Sequence, residues 1–189
     1  GVSVALDSGY LVVGATRGFG DTGSAFVFQR RALGEWIQVA QFSPPPYSPD
    51  SFELGFGGAV AISGTTIVVG APNFQTDFEA PGGAFVYERA GATPYSWVRS
   101  ALLVPADTLG LGRFGSSVGI SGDALLVGSA FGVFAYERHG PGLPWNRATR
   151  IGPFEPAQVF LQGNHAWLAR SGEIRELDQP SAGAPWSEV

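Results

Sequence analysis

Phe56-Gly57-Gly58-Ala59-Val60-Ala61-Ile62-Ser63-Gly64-Thr65-Thr66-Ile67-Val68-Val69-Gly70-Ala71-Pro72, followed after a polar stretch by Gly82-Gly83-Ala84-Phe85-Val86-Tyr87-Glu88-Arg89, is a unit that the rest of the chain copies. Upstream, Val4-Ala5-Leu6, Ser8-Gly9 and Leu11-Val12-Val13-Gly14-Ala15 match Val60-Ala61-Ile62, Ser63-Gly64 and Ile67-Val68-Val69-Gly70-Ala71. Downstream, Val118-Gly119-Ile120-Ser121-Gly122 and Leu125-Leu126-Val127-Gly128 match again. A worn fourth copy reads Val159-Phe160-Leu161-Gln162-Gly163 and Ala166-Trp167-Leu168-Ala169. Self-similarity of this length decides the architecture before any local motif, because each unit is too small to bury its own apolar residues.

Inside each copy the apolar residues come in short runs of Val, Ile, Phe and Tyr bounded by Gly, Pro, Ser and Asp, which is strand spacing; no segment sustains a helical period. In the second copy the spacing predicts strands over 58–62, 66–70, 84–88 and 96–103, with a tight turn at Ser63-Gly64. The first copy has its third strand at 25–28, a turn at 31–34 and a fourth strand at 35–42, and the last copy keeps a strand at 173–177. Four antiparallel strands make one small sheet. The first two strands of each unit are nearly continuous Val, Ile, Ala and Gly, so both faces need cover. Stacking such sheets radially gives an all-β propeller of four-stranded blades, with four blades or blade remnants at about 1–50, 51–112, 113–152 and a degenerate 153–189.

The small residues fit that arrangement. Gly57, Gly58, Ala59 and Ala61, like Gly115, Ser116, Ser117 and Gly119, fall where innermost strands crowd around an axis. Trp36, Trp97, Trp145 and Trp186 recur at the start of every fourth strand, a period that assigns them to packing between blades. The run Ser43-Pro44-Pro45-Pro46-Tyr47-Ser48-Pro49 reads as a stiff connector between the first two units.

Composition excludes several functions. Of 189 residues, 44% are hydrophobic and only 14% charged, and the net charge is −5. A globular core follows, and a basic surface for nucleic acid or anionic lipid does not. The strands are too studded with Gly to span a bilayer as helices. With no Cys there is no disulfide, thiolate metal site or thiol nucleophile. Met and Lys are also absent, and no signal peptide precedes Gly1, as expected of a piece of something longer.

Phe56-Gly57 and Phe114-Gly115, each leading into a Val-Ala-Ile type strand and then to Gly70-Ala71-Pro72 or Gly128-Ser129-Ala130, resemble the FG-GAP repeats of integrin α-subunit propellers. Bacterial cell-surface FG-GAP proteins are more similar still, with an aromatic third strand ending in Glu-Arg like 84–89. The resemblance covers 1–150 well and the remainder weakly. It implies a seven-bladed, extracellular or cell-surface, non-enzymatic propeller that presents ligands on one rim. Four units fall short of that ring, so missing blades, a four-bladed ring and assembly from several chains all stay open.

Family members often carry an Asp/Asn-rich calcium loop between the first two strands. Here those connections are Asp7-Ser8-Gly9, Ser63-Gly64-Thr65 and Ser121-Gly122-Asp123, and one carboxylate on a short turn cannot supply six or more oxygens. No metal and no cofactor are expected, apart from a loose alternative at 73–79 with Asp77 and Glu79. The two histidines, His139 and His165, fall in different units with no nucleophile elbow beside them. Glu88-Arg89 and Glu137-Arg138 recur unit by unit, with Gln29-Arg30 in the first. Such recurrence reads as solvated or inter-blade ion pairs worth little each. A glycoside hydrolase would need two inward-facing acids, which sequence alone does not test.

Chain direction places the long segments 16–22, 43–54, 73–81 and 105–113 on one rim and the short turns on the other. These segments carry the candidate ligand-binding residues Arg17, Phe19, Asp21, Tyr47, Phe52, Asn73, Phe74, Gln75, Asp77, Phe78, Glu79, Asp107 and Arg113, with Asp50 beside them. Aromatic rings next to amides and carboxylates suit a protein or a glycan. The opposing expectation is that Phe74 and Phe78 fold inward over their blade. The expected function is a secreted or cell-surface interaction or adhesion module; the alternatives are a blade set that packs with other copies or further blades in a larger assembly, and a propeller hydrolase.

Overall fold

The computed structural model describes residues 1–16, 22–45, 55–75, 81–105, 112–152 and 158–189. Among them every regular element is a strand. The first sheet holds β1 (Ser3–Asp7), β2 (Tyr10–Ala15), β3 (Ser24–Arg30) and β4 (Trp36–Phe42); the second holds β5 (Ala59–Ser63), β6 (Thr66–Ala71), β7 (Gly83–Arg89) and β8 (Trp97–Leu103). The third holds β9 (Ser117–Ser121), β10 (Ala124–Ser129), β11 (Gly132–Glu137) and β12 (Asn146–Ile151); the fourth holds β13 (Gln158–Gln162), β14 (His165–Arg170), β15 (Glu173–Asp178) and β16 (Ser187–Glu188). Each sheet is hydrogen-bonded antiparallel in sequence order.

The sheets are blades. Their first strands pack side by side, β1 on β5, β5 on β9 and β9 on β13. Segments of all four innermost strands line one central space of about 720 Å³. The expected all-β propeller of four-stranded blades is therefore the architecture, and the predicted strands lie within a residue or two of the observed ones. One register differs. The strand before each tight turn runs one residue further, so β5 includes Ser63 and the turn is Gly64-Thr65, with Ser63 paired to Thr66. By the same register Asp7 pairs with Tyr10, so Ser8, not Gly9, stands where Gly64 stands.

Each interface between blades has a large side and a small side. Val60 and Ile62 of blade two pack into one apolar cluster with Tyr10, Val12 and Val27 of blade one. Val118 and Ile120 of blade three pack likewise with Val68, Ala84 and Val86 of blade two, and Val159 and Leu161 of blade four with Leu126, Val133 and Ala135 of blade three. The alternate residues of the inner strands are small because they face the next blade: Ala59 and Ala61 pack against the cluster shared with blade three. The crowding that selects Ala and Gly is thus between blades as much as at the axis.

The Phe-Gly pair closes the same interface. Phe56 is fully buried and lies edge-on to Phe85 at 5.3 Å, while its backbone bridges in parallel to Gly23 of the preceding blade. Phe114 repeats this with Phe134 at 5.4 Å and a parallel bridge to Gly82. The glycine after each Phe meets the preceding blade backbone to backbone, so a Cβ on Gly14 would stand 2.0 Å from Gly57 O and one on Gly70 2.0 Å from Gly115 O. Only glycine permits that approach.

Trp97 packs edge-on against Tyr10 of blade one at 5.6 Å, and Trp145 and Trp186 join the clusters at the next two interfaces, as the periodicity predicts. Trp36 differs and is exposed. The Glu-Arg repeats follow the inter-blade alternative, and only the small worth expected of them needs correction. Arg138 is buried: Nη1 donates to Glu88 Oε1 of blade two at 2.6 Å, Nε to Asp123 Oδ1 at 2.7 Å and Nη2 to Thr66 Oγ1 at 3.0 Å, with the guanidinium 4.6 Å over the Trp145 ring. It is an inter-blade clasp, not a solvated pair of small worth, because removing either partner strands a desolvated charge. At the next interface Gln179 donates to Glu137, and at the previous one Arg89 donates to Tyr10 Oη at 2.7 Å.

Candidate ligand-binding rim

Two rims follow from the blades. On one lie the connections between third and fourth strands and the two-residue turns between first and second strands, the turns tied across the interfaces by Gly64 N to Asp7 Oδ2 at 2.5 Å, Gly122 N to Ser63 Oγ at 3.0 Å and Gly163 N to Ser121 Oγ at 2.8 Å. On the other lie the connections between second and third strands and the blade-to-blade segments. They sit together: Phe114 N donates to Pro81 O at 2.9 Å, Ala130 N to Gly112 O at 2.8 Å, and a Cβ on Gly55 would stand 3.1 Å from Pro72 Cγ. In blades one and two the connections on this rim are residues 16–23 and 72–82; in blades three and four they shrink to 130–131 and 171–172.

Of the candidate residues, four fall in described segments. Asn73 and Gln75 are exposed at the root of the 72–82 connection. Phe74 between them is fully buried, edge-on to Phe85 at 5.1 Å, with its N–H on Ala71 O at 3.0 Å and its carbonyl accepting from Gly82 N at 3.1 Å. Phe74 therefore belongs to the core and pins the loop, rather than offering a ring to a ligand; the inward-folding expectation describes it. Arg113 is exposed and holds a left-handed φ of 48°, at the place where the second blade has Gly55 with φ 68°. In both blades that residue's carbonyl accepts from the amide three positions on, Gly58 N at 2.9 Å and Ser116 N at 3.1 Å. Arg17, Phe19, Asp21, Tyr47, Asp50, Phe52, Asp77, Phe78, Glu79 and Asp107 lie outside the described residues.

The titratable groups elsewhere are engaged structurally. Asp7 and Asp123 on the tight turns accept from Gly64 N–H and Arg138. His165 pairs with Asp178 across β14 and β15, while His139 is exposed in the turn after β11. Arg175 and Arg170 hold the Glu173 carboxyl below its usual range, the hydrogen bond from Arg175 being the larger cause. Among the described residues no three of His, Asp and Glu gather in a way that could hold a metal ion. Nor, among the described residues, is any helix long and apolar enough to cross a membrane.

The repeated four-stranded sheets and their Phe-Gly closures define a β-propeller. Residues 51–87 match the family model of the FG-GAP repeat, which spans β5, β6 and β7 up to Tyr87 and includes the Phe56-Gly57 closure. Residues 51–87 are thus an FG-GAP repeat within a β-propeller whose neighbouring blades repeat the same unit. No curated protein matches it.

Proposed function

We infer that the chain is a non-enzymatic interaction module that works at the cell surface or outside the cell and presents the rim of blades one and two to a protein or glycan ligand. The observation that carries this reading is the contrast between rims. One side carries the two-residue turns and the third-to-fourth-strand connections 31–35, 90–96, 138–145 and 179–186, which are broadly alike from blade to blade, whereas on the other the second-to-third-strand connections run from 16–23 and 72–82 down to 130–131 and 171–172, on a scaffold whose blades are locked by buried clasps. Length variation on one side of a rigid framework is the usual form of a recognition surface. Asn73, Gln75 and Arg113 supply amide and guanidinium groups that hydrogen-bond hydroxyls, carboxylates or backbone carbonyls.

The test is binding of the purified chain to a glycan array and to a panel of extracellular-matrix proteins, compared with the triple variant Asn73→Ala, Gln75→Ala, Arg113→Ala. A signal that falls at least about tenfold in the triple variant, and is unchanged by Asn164→Ala on the opposite rim, supports the reading; about tenfold corresponds to one good polar contact. Binding that survives in the triple variant, or none to either panel, counts against it.

A further inference from the structure

The interface between blades three and four keeps the acceptors of the arginine clasp and lacks the arginine. Arg89, Arg138 and Gln179 hold one position in blades two, three and four, each donating its backbone N–H to the carbonyl of the second residue of its own tight turn, Thr65, Asp123 and Asn164, at 2.9, 3.0 and 2.9 Å. Each side chain then reaches back across an interface, Arg89 to Tyr10, Arg138 to Glu88 and Thr66, and Gln179 to Glu137. Between blades two and three, Glu88 and Asp123 both grip the guanidinium. Between blades three and four, Glu137 stands for Glu88 and Asn164 for Asp123, but Gln179 ends at its amide, as many bonds from the backbone as the Nε of an arginine. That amide donates to Glu137 and, at 2.9 Å, to Ala184 O.

Beside that amide lies a cavity of about 370 Å³, lined by Glu137, Asn164 and Gln179, with Asp123 and Arg138 on its blade-three wall. Its volume is that of a site for a small organic group. Gln179 is buried and Glu137 half-buried, whereas Asp123 and Asn164 are exposed, so the cavity has a desolvated floor and an open mouth. Asp123 and Arg138 pair with each other at 2.7 Å. Glu137 has only the neutral amide of Gln179, and among the described residues no cation pairs with it. An ionised carboxylate has about four acceptor sites, so most of its capacity faces the cavity unspent.

We propose that this pocket takes the guanidinium of an arginine side chain offered by a partner protein, held by Glu137 and Asn164 as Arg138 is held by Glu88 and Asp123 one interface earlier. The chain itself supplies the template, since the same two positions grip a guanidinium where blade three supplies one. A planar fork of donors matches a carboxylate and an amide oxygen together, whereas the compact ammonium of a lysine matches one acceptor at a time. Ala124 stands where Thr66 gives Arg138 its third acceptor, so an incoming group finds two partners rather than three. The pocket opens among the tight turns, on the rim away from the long connections, and the inference stands or falls apart from the function proposed above.

The test titrates the full nitrogen-15-labelled chain with the blocked peptide acetyl-Ala-Arg-Ala-amide, and with the same peptide carrying citrulline, which keeps the shape without the charge, or lysine. The amide signals of Gly163, Asn164 and Gln179 should shift saturably with the arginine peptide, with a Kd of about 1 mM as befits a single anchored group. Citrulline and lysine should each bind at least about tenfold more weakly, and Glu137→Gln should weaken the arginine peptide as much. Gln179→Arg supplies a guanidinium from within, so it should abolish the shifts and raise the Tm by about 2 °C or more. If Glu137→Gln does not fold, Gln179→Arg decides alone. No saturable shift at these amides, equal binding of the three peptides, binding that survives Gln179→Arg, or a Tm that this variant fails to raise would each overturn the proposal.

Discussion

Glu88 of blade two and Arg138 of blade three meet at 2.6 Å with the arginine side chain only 4% exposed, so two blades are joined by a charge pair largely withdrawn from water. Asp123 completes the guanidinium's shell from its own blade at 2.7 Å and is itself 45% exposed. Glu88→Ala leaves the buried cation with one carboxylate and Thr66, and should cost about 3 kcal/mol, the low end of the range for breaking a buried pair. Glu88→Gln keeps an acceptor and should cost about 1 kcal/mol. Urea unfolding of these two variants and of Arg138→Met, with the double variant, measures the coupling; a coupling near zero would show that the clasp contributes nothing.

The Tyr87 phenol, stacked on Phe42 of blade one at 3.9 Å, is pushed up to about 12 by burial against the smaller opposing pull of Arg99. The unfolded chain releases this proton at the ordinary tyrosine value of 10.0, so the stabilisation is complete below pH 10 and disappears as pH rises from 10 towards 12. The shift corresponds to about 2–3 kcal/mol across that window. Tyr87→Phe should flatten the alkaline limb of the stability profile while leaving neutral-pH stability little changed. Equal alkaline slopes for the two proteins would remove Tyr87 as the cause.

Arg113 keeps a left-handed backbone that its counterpart Gly55 adopts freely. An L residue other than Gly held in that region costs about 1 kcal/mol or more, of which the extra chain entropy of Gly returns roughly half to all. Arg113→Gly should therefore be neutral to stabilising by up to about 1 kcal/mol, whereas Arg113→Val should destabilise, since a β-branched residue is the least tolerant of positive φ. If the arginine serves the rim, Arg113→Gly weakens ligand binding with no loss of Tm. A variant that loses both would assign Arg113 to the fold.

Much of this was legible in the residues. Val-Ala-Ile against Ile-Val-Val has the two-residue period of a strand, its tight turn needs Gly or a residue that tolerates positive φ, and the alternation of large and small on β5 encodes both sides of the blade interface. For Glu88-Arg89 and Glu137-Arg138 the residues leave solvated and inter-blade pairs both open, because a strand-end Glu-Arg does not say whether the arginine's partner is the glutamate of another unit. The direction of Phe74 is open for a related reason. A single apolar residue between Asn73 and Gln75 has no period, and only the docked ring of Phe85 shows which way it turns. The one-residue shift of the tight turns came from aligning Ser8-Gly9 with Ser63-Gly64 by residue type, when pairing of Asp7 with Tyr10 sets the register.

Gly70 and Gly119 separate two kinds of small-residue requirement at blade interfaces. A Cβ on Gly70 would lie 2.0 Å from the carbonyl oxygen of Gly115, a residue whose own N–H donates to Gly128 O at 3.0 Å, so the blades would have to part. On Gly119 the nearest atoms would be Val159 Cγ1 at 3.2 Å and Leu161 Cβ and N at 3.3 Å, a contact that a shift of a few tenths of an ångström relieves. Overpacking a tight site costs about 1–3 kcal/mol and more where backbone must move. Gly70→Ala should thus lose at least about 3 kcal/mol, and Gly119→Ala about 1 kcal/mol or less, the latter helped by the strand propensity that alanine adds over glycine. Paired thermal melts decide it: equal losses would mean that the Phe-Gly closure between blades two and three is no more rigid than the inner-strand contact between blades three and four.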